Sequence, residues 1–293
     1  MVERVIVAVD GGPASRAAVD WVLDRVHTVP IRLELTTIVE LGWSPAGGPE
    51  DDFQPAYERA LADAARYVEQ AAAEVKTTSV VRRGVPVDEL VRASADADLL
   101  VIGTNKTGVL VGAVHGTVPL RLAAHARCTV AVVPAGWSAG GDSVVVGVED
   151  DIEMDAPLAV AAAEAEARGL PLKLVHAWSI PATLGVDFGA AVPFDALIEA
   201  HEDILARALE RLRSTHPMMP VTTVLMQGSA APALVDVAAS AAVLVVGTHG
   251  RGAVAGLILG SVSHDVLLNM PCPVLVVPRT PPTAGDETSG ASR

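Results

Sequence analysis

The stretch VVGTHGRGAVAGLILGSVS, residues 245–263, begins with apolar residues and then becomes rich in glycine and serine. An apolar, β-branched run that ends at a glycine is typical of a buried strand. The small residues behind this run are Gly247, Gly250, Gly252, Gly256, Gly260, Ser261 and Ser263. Such residues give up side-chain contacts, so their clustering behind a strand indicates a special backbone requirement.

Parts of this stretch occur twice, which indicates an internal duplication. The matching segments are LLVIGT (99–104) with LVVGTH (244–249), CTVAVVP (128–134) with CPVLVVP (272–278), and VIVAVD (5–10) with VVVGVE (144–149). Gly103 corresponds to Gly247 at an offset of 144 residues, whereas the first strands correspond at an offset of 139. The change in offset predicts a length difference in the irregular stretch after the second strand, Glu40–Gln54 in the first repeat and Ser179–Pro193 onward in the second.

A repeat of this length is a whole domain rather than one unit of a solenoid. We predict a first repeat at residues 1–136 and a second repeat at residues 142–280. Residues 137–141, within PAGWSAGGD, are predicted to be the linker, and residues 281–293 a flexible tail.

Each repeat alternates short apolar runs with alanine-rich stretches, the pattern of a β/α protein. In the first repeat we predict strands near 4–9, 33–39, 78–82, 98–102 and 129–133, and helices near 13–27, 55–75, 86–96 and 117–126. Strands that are apolar on both faces favour a parallel sheet between two helical layers. The predicted fold class is therefore α/β, with two tandem doubly wound domains, in which ligands bind beyond the carboxyl ends of strands.

Composition narrows the classes of partner. The chain has 293 residues, 35 acidic against 21 basic, and a net charge of −14, which disfavours nucleic acid and anionic membrane surfaces as partners. No apolar run is long enough to cross a bilayer, and the N-terminus shows no signal peptide. Two cysteines cannot form a disulfide framework. We expect a cytoplasmic protein.

The glycine-rich loop has two interpretations. Successive N–H groups of such a loop and of the following helix start can hold an anion. The alternative is an ordinary glycine turn followed by a serine that caps the helix. The spacing matches neither a P-loop nor a dinucleotide-binding fingerprint.

The spacing G-x2-G-x9-G-[ST], met by Gly247, Gly250, Gly260 and Ser261, resembles the ATP-binding signature of the universal stress protein family. The likeness covers nearly the whole chain as two tandem domains. It implies that each domain has a five-stranded parallel sheet in the order 3-2-1-4-5. It also implies pairing through the last strands, and we expect Val130–Val133 to lie against Val274–Val277, since unpaired apolar edges would be open to aggregation.

The resemblance also implies site residues. An acid after the first strand contacts the ribose, the second strand contacts the adenine, and the loop and helix start hold phosphates. In the second repeat these positions are Glu149, Ala177, Gly247, Gly250, Gly260, Ser261, Val262 and Ser263. In the first repeat they are Asp10, Ile38, Gly103, Lys106, Gly116 and Thr117. His249 is a further candidate for phosphate contact, with a solvated surface residue as the alternative.

The two repeats depart from the family pattern in different places. The first has Lys106 in place of the second glycine and Pro119 in place of the second serine. The second keeps the loop but has Glu149 for aspartate, followed by Asp150 and Asp151, and clustered acids oppose a triphosphate unless Mg²⁺ intervenes. We expect the second repeat to be the better ATP site.

Other polar residues are interpreted structurally. We interpret His176, in the second predicted strand of its repeat, as a hydrogen-bonded core residue. Cys128 and Cys272 occupy equivalent positions and are expected to be small buried side chains. The sequence offers no catalytic constellation and no metal spacing, so we expect no fast enzymatic reaction.

The leading hypothesis is an ATP-binding stress or regulatory protein, with or without Mg²⁺, in which the nucleotide stabilises or switches a conformation. The partners expected are an adenine nucleotide, the other repeat as an intramolecular pseudo-dimer, and a second copy as a homodimer. A nucleotide-free interaction protein with decayed sites is the alternative. A nucleotidyl transferase or a flavin-binding protein on the same scaffold is a third reading.

Overall fold

A computed structural model describes residues 2–40, 54–105, 117–150, 154–179, 194–248 and 259–278. The first repeat contains β1 (Glu3–Ala8), α1 (Pro13–Val26), β2 (Ile31–Val39), α2 (Gln54–Ala71), β3 (Lys76–Arg83), α3 (Pro86–Ala93), β4 (Leu99–Thr104), α4 (Thr117–His125) and β5 (Thr129–Pro134). The second repeat contains β6 (Val144–Gly147), α5 (Asp155–Arg168), β7 (Leu172–Trp178), α6 (Phe194–Thr215), β8 (Val221–Gln227), α7 (Ala230–Val237), β9 (Val243–Gly247), α8 (Ser261–Leu268) and β10 (Val274–Val277).

All ten of these strands form one sheet. Its order is β3-β2-β1-β4-β5-β10-β9-β6-β7-β8. Within each repeat neighbouring strands are parallel, and the order 3-2-1-4-5 is confirmed for both. The repeats meet at β5 and β10, which pair antiparallel with Ala131 opposite Leu275. The prediction that the last strands of the two repeats lie side by side is confirmed.

Two helical layers cover the sheet because its strands are apolar on both faces. Val5 and Val7 of β1 face the layer formed by α1, α2, α5 and α6. Ile6, between them, faces the layer formed by α3, α4, α7 and α8. The core is therefore split by the sheet, and the doubly wound architecture predicted from the sequence is confirmed.

Some element bounds differ from the predictions. The helix predicted to reach residue 75 ends at Ala71, and β3 begins at Lys76, because residues 76–78 pair in register with β2. The helix predicted over 86–96 ends at Ala93 and continues as a 3₁₀ turn at Ser94–Asp96.

The length difference between the repeats lies after the second strand, as predicted, but mostly in a helix rather than in the irregular stretch to which the sequence assigned it. Val9 donates its N–H to the carbonyl of Thr36, and Val148 does the same to Val175, so both pairs keep the offset of 139. The third strands, β3 and β8, are already at the offset of 144. Helix α6 has 22 residues against 18 in α2, so most of the added length lies in that helix.

Among the described residues, no helix is long and apolar enough to cross a membrane. The predicted tail at 281–293 lies outside the described residues. In the predicted linker, Gly140 and Gly141 adopt positive φ angles of 149° and 103°, which glycine adopts with little strain.

Candidate functional site

The predicted site residues lie at one edge of the sheet, beyond the carboxyl ends of the parallel strands. In the second repeat, Glu149 follows β6, Ala177 lies near the end of β7, and Gly247 ends β9. Gly260 precedes α8, and Ser261, Val262 and Ser263 form its first turn. Because β6 lies between β7 and β9, these positions converge on one place. His249 and Gly250 lie outside the described residues.

The start of α8 is tied to the end of β9. Gly260 is the N-cap residue, with φ −58° and ψ 149°, and its N–H donates to the carbonyl of Thr248 at 2.7 Å. The hydroxyl of Ser263 donates to the carbonyl of Gly247. These two bonds fix where the chain leaves the strand and where it enters the helix.

The first turn of α8 is suited to holding an anion. The amides of Ser261, Val262 and Ser263 have no carbonyl partner within the helix, because the first turn of any helix lacks one. They also lie at the positive end of the helix dipole. Ser261 is exposed, whereas the Ser263 side chain is buried against the strand end. An anionic group placed beyond the sheet edge would meet amide donors here.

Part of the acidic cluster after β6 is neutralised. Nη2 of Arg207, in α6, donates to Asp150 at 2.7 Å. Asp151 lies outside the described residues, and Glu149 is half-buried. The sequence pattern indicated only the acids, because the arginine that offsets Asp150 lies 57 residues further along the chain.

A cluster of aromatic rings beside the site was missed from the sequence. Nδ1 of His176 lies 2.7 Å from the carbonyl oxygen of Val148, and Nε2 lies 2.9 Å from Nδ1 of His201. The His201 ring stacks on Trp178 with centroids 4.8 Å apart. Phe194 packs on Trp178 at a centroid distance of 5.7 Å. The interpretation of His176 as a hydrogen-bonded core residue is confirmed. The alternation of His176 and Trp178 in β7 was a signal that both side chains face α6.

In the first repeat, the acid after β1 is already engaged. Oδ1 of Asp10 accepts the N–H of Gly12 at 2.8 Å, and the carboxylate is exposed. Ile38 is half-buried near the end of β2, and Thr117 is the first residue of α4. Lys106 and Gly116 lie outside the described residues.

The helix start of the first repeat has fewer donors. Pro119 is the third residue of α4, at the position equivalent to Ser263. Proline has neither an N–H nor a hydroxyl. The first repeat therefore lacks both the third amide and the bond that ties Ser263 to the strand end.

The reason for glycine at the end of β4 differs from the one suggested by the sequence. Gly103 does not adopt a positive φ, and a Cβ there would lie 1.9 Å from the carbonyl oxygen of Ala14. Real Cβ atoms do not approach an atom below 3.0 Å. Close packing of α1 on β4 therefore requires this glycine whether or not a ligand is bound.

A cavity of about 670 Å³ lies between α1 and α2. Asp10 is the one predicted site residue among the described residues that line it. The Arg16 guanidinium lies over the ring of Tyr67, 3.4 Å from the centroid, and Tyr67 donates to Asp20 at 2.8 Å. Arg16 also donates to Asp20 at 3.2 Å, so these three side chains are paired with one another. The described residues that line the cavity belong to the first part of the repeat, and none of them is in α4.

Both cysteines are buried, as predicted. Burial raises the pKa of Cys128 and of Cys272 to about 12. Within the described part of the chain, no group of three or more histidine, cysteine or acidic side chains is placed to hold a metal ion.

The fold and this site edge define a tandem member of a known family. The model of the universal stress protein family matches residues 1–134 and residues 142–278. The chain belongs to the universal stress protein family.

Known proteins extend the likeness over nearly the whole chain. Universal stress protein Rv2005c of Mycobacterium tuberculosis is 32% identical over 285 residues, covering 93% of this chain and 96% of that protein. Universal stress protein Rv1996 of the same organism is 31% identical over 308 residues, with coverages of 94% and 96%.

Among solved structures, a universal stress protein from Archaeoglobus fulgidus is similar with a TM-score of 0.69 at 18% identity, covering 94% of this chain and 96% of that one. A protein of unknown function from Pseudomonas aeruginosa, PA1789, has a TM-score of 0.64 at 14% identity, with coverages of 94% and 92%. At these identities the likeness concerns the fold.

Proposed function

We propose that this protein binds ATP in its second repeat and acts as a nucleotide-dependent regulatory protein. The nucleotide would lie across the carboxyl ends of β6, β7 and β9. Glu149 would face the ribose, Ala177 the adenine, and the first turn of α8 the phosphates. His249 and Gly250 would complete the phosphate loop.

The observation that carries this proposal is the start of α8. Its first three amides have no partner within the helix, and two hydrogen bonds hold the helix start against β9. A helix start that is already held in place loses little entropy when a ligand binds to it. Arg207 adds to this by offsetting Asp150, one of the acids that would repel a triphosphate.

Binding without fast turnover fits the side chains present. The described residues of the site include no P-loop lysine, and the histidine pair of β7 and α6 is committed to its own hydrogen bonds. Mg²⁺, if it accompanies the nucleotide, would be held mainly by phosphate oxygens, as is common for this ion. The nucleotide would then act by stabilising the conformation that binds it.

The first test is the identity of any molecule that the purified protein carries. Heat-treated protein should release an adenine nucleotide, identified by mass spectrometry. Nucleotide-free protein should gain thermal stability with ATP and Mg²⁺, since a ligand at ~100 times its dissociation constant contributes about 2.7 kcal/mol to the folded state. Release of a flavin would instead favour the alternative of a flavin-binding protein.

The second test assigns the repeat. Gly250→Val should remove most ATP binding in isothermal titration, because a branched side chain blocks a backbone cradle. Gly252→Val is the matched control, since Gly252 is in the same loop but outside the glycine pattern. Lys106→Gly restores the pattern in the first repeat and should leave binding equal or increase it.

Two outcomes would contradict the proposal. Parent-like binding by Gly250→Val together with loss in Lys106→Gly would assign the site to the first repeat. No released nucleotide, no titration heat and no shift in melting temperature would mean that both sites have decayed. The protein would then be an interaction module.

A further inference from the structure

The two repeats are related by a pseudo-two-fold axis, and the central strands show where it passes. In the ladder between β5 and β10, Ala131 lies opposite Leu275. Leu275 is 144 residues after Ala131, so the two residues are counterparts. On a two-fold axis each position meets its own counterpart. The axis therefore passes between Ala131 and Leu275, both buried on the face that α1 and α5 cover.

Arg25 and Glu164 are a second pair of counterparts that meet each other. Arg25 is in α1 and Glu164 is in α5, 139 residues later, which is the offset between β1 and β6. Nη1 of Arg25 donates to Oε1 of Glu164, and the two residues are only 7% and 3% exposed. Two pairs of counterparts therefore meet on the axis, at two levels. The apolar level is Ala131–Leu275 in the sheet, and the charged level is Arg25–Glu164 between helices α1 and α5.

The charged level continues as an alternating row. Glu3 accepts two bonds from the Arg25 guanidinium, at 2.8 and 3.0 Å. On the other side Arg168 lies 3.3 Å from Glu164 and donates to Asp24 at 3.0 Å. The signs read minus, plus, minus, plus, minus from Glu3 to Asp24, so each charge has an opposite neighbour. The two central residues, Arg25 and Glu164, are buried, and the outer ones are partly buried.

The pairing also holds Arg25 in its charged form. Burial alone lowers the pKa of Arg25, but the carboxylates of Glu164 and Glu3 outweigh it and the pKa lies above its ordinary value. A buried charge of this kind tolerates an opposite partner and rejects a like one.

Pairing between like repeats would break both levels. Two first repeats would place Arg25 against a second Arg25 and leave a void between two copies of Ala131. Two second repeats would place Glu164 against a second Glu164 and crowd two copies of Leu275. Like buried charges, voids and overpacking all oppose association.

We propose that the Arg25–Glu164 and Ala131–Leu275 pairs form a lock that makes the interface selective for unlike repeats. The interface of the first repeat associates with one that has a carboxylate and a leucine on the axis, as the second repeat has. It does not associate with the interface of another first repeat. The same rule governs a second copy of the chain, which can exchange repeats only in unlike pairs. Each chain is thereby restricted to one arrangement of its two sites.

The test uses the full chain with a protease site in place of the exposed residues 138–140. After cleavage, light and isotopically heavy samples are mixed, and urea is raised until heavy and light repeats have exchanged within unlike pairs. Native mass spectrometry then counts like and unlike pairs. Because exchange is observed directly, a missing like pair reflects selection rather than slow dissociation.

The parent protein should give almost only unlike pairs. The variant Arg25→Leu/Glu164→Leu/Leu275→Ala, which makes both axis levels the same in the two repeats, should shift toward random pairing, with like pairs near about half of the total. Replacing the buried ions by leucine should leave the fold intact, which circular dichroism checks. Arg4→Leu/Asp98→Leu, an exposed ion pair within the first repeat, is the control and should pair like the parent.

Either of two results would overturn the lock. Like pairs at the random share in the parent would show that the axis residues select nothing. If the triple variant Arg25→Leu/Glu164→Leu/Leu275→Ala still formed only unlike pairs, other residues of the interface would be responsible for the selection.

Discussion

Helix α8 of the second repeat and helix α4 of the first begin at equivalent positions, but their first turns offer different hydrogen-bond donors. Ser261-Val262-Ser263 offers three amides and a hydroxyl that binds the strand end. Thr117-Val118-Pro119 offers two amides, and Pro119 has no hydroxyl at the position of Ser263. The strands behind the two helices have the same order and pairing. The two repeats have thus kept the same buried sheet, whereas the polar groups at the carboxyl edge of that sheet have diverged.

This difference separates two roles for small residues. Gly103 is required by the carbonyl oxygen of Ala14, which belongs to the packing of α1 on the sheet. Ser263 is required by the connection between β9 and α8. A glycine of the pattern can therefore serve the fold in both repeats, even where the ligand site has changed.

The largest effect is expected for Gly103→Ala. A methyl group 1.9 Å from a backbone oxygen forces α1 away from β4, and we expect a loss of about 3 kcal/mol, at the upper end of the range for overpacking. Urea unfolding followed by circular dichroism measures the loss.

Gly147→Ala is the matched control in the second repeat. Gly147 corresponds to Ala8 of the first repeat, and its added Cβ would meet only the Leu234 side chain, at 3.1 Å. We expect a change within ~1 kcal/mol, since a flexible side chain can move aside. Equal losses in the two variants would mean that the close approach to Ala14 does not determine the need for glycine.

Periodicity and repeats sufficed to predict two tandem doubly wound α/β domains, whereas the strand order and the pairing of the last strands came from the resemblance to the universal stress protein family. Apolar runs such as Val5–Val9 and Val243–Val246 report burial on both faces, and burial decides the sheet. The five-residue shift in offset was also visible, although its appearance as added length in α6 was not. A helix boundary depends on local caps and tertiary contacts that a repeat comparison does not include.

For the site, the sequence predicted which positions lie together but not the hydrogen bonds that each residue makes. The pattern located Gly260 and Ser263, but hydrogen bonds between distant residues decided what each does. Arg207 on Asp150 and His201 on His176 join residues that are far apart in sequence. The Arg25–Glu164 contact joins two repeats and leaves no local pattern. Such partners become visible only when helices are placed on the sheet.

The second prediction exchanges the helix starts. Ser263→Pro copies the first repeat into the second and removes one amide and one hydroxyl. ATP binding, if it occurs here as proposed, should weaken by about 10- to 100-fold, because one bond to a charged group contributes ~1.5–3 kcal/mol. Ser263→Ala keeps the amide and should lose less. Isothermal titration compares the two variants.

The reciprocal change is Pro119→Ser, which gives α4 its third amide. It should leave the affinity of the second repeat unchanged and add binding in the first, if Lys106 still permits the loop to close. The comparison fails if Ser263→Pro and Ser263→Ala bind ATP equally well, because the amide would then contribute nothing.

The smallest effect is a pH dependence of the free energy of unfolding, which we expect to be the same for the two repeats. Burial raises the pKa of Cys128 and of Cys272 from 9.0 to about 12. The folded state therefore keeps each proton where the unfolded chain loses it. The stability that each thiol contributes is complete below pH 9 and declines as pH rises from 9 toward 12. Linkage gives a loss of about 1.4 kcal/mol per thiol at pH 10.

Other groups also titrate in this range, so the prediction concerns a difference between proteins. Cys128→Ala and Cys272→Ala should each lose less stability than the parent between pH 8 and pH 10, by about 1.4 kcal/mol, in urea unfolding. The two variants should change by the same amount, because both thiols lie before the last strand of their repeat and have the same raised pKa. If one variant alone showed the same loss of stability with pH as the parent, the thiol of that repeat would already be exposed to solvent. That result would show that its repeat opens at alkaline pH before the whole chain unfolds. The symmetry of the central β5–β10 pair would then not extend to the stability of the repeats around it.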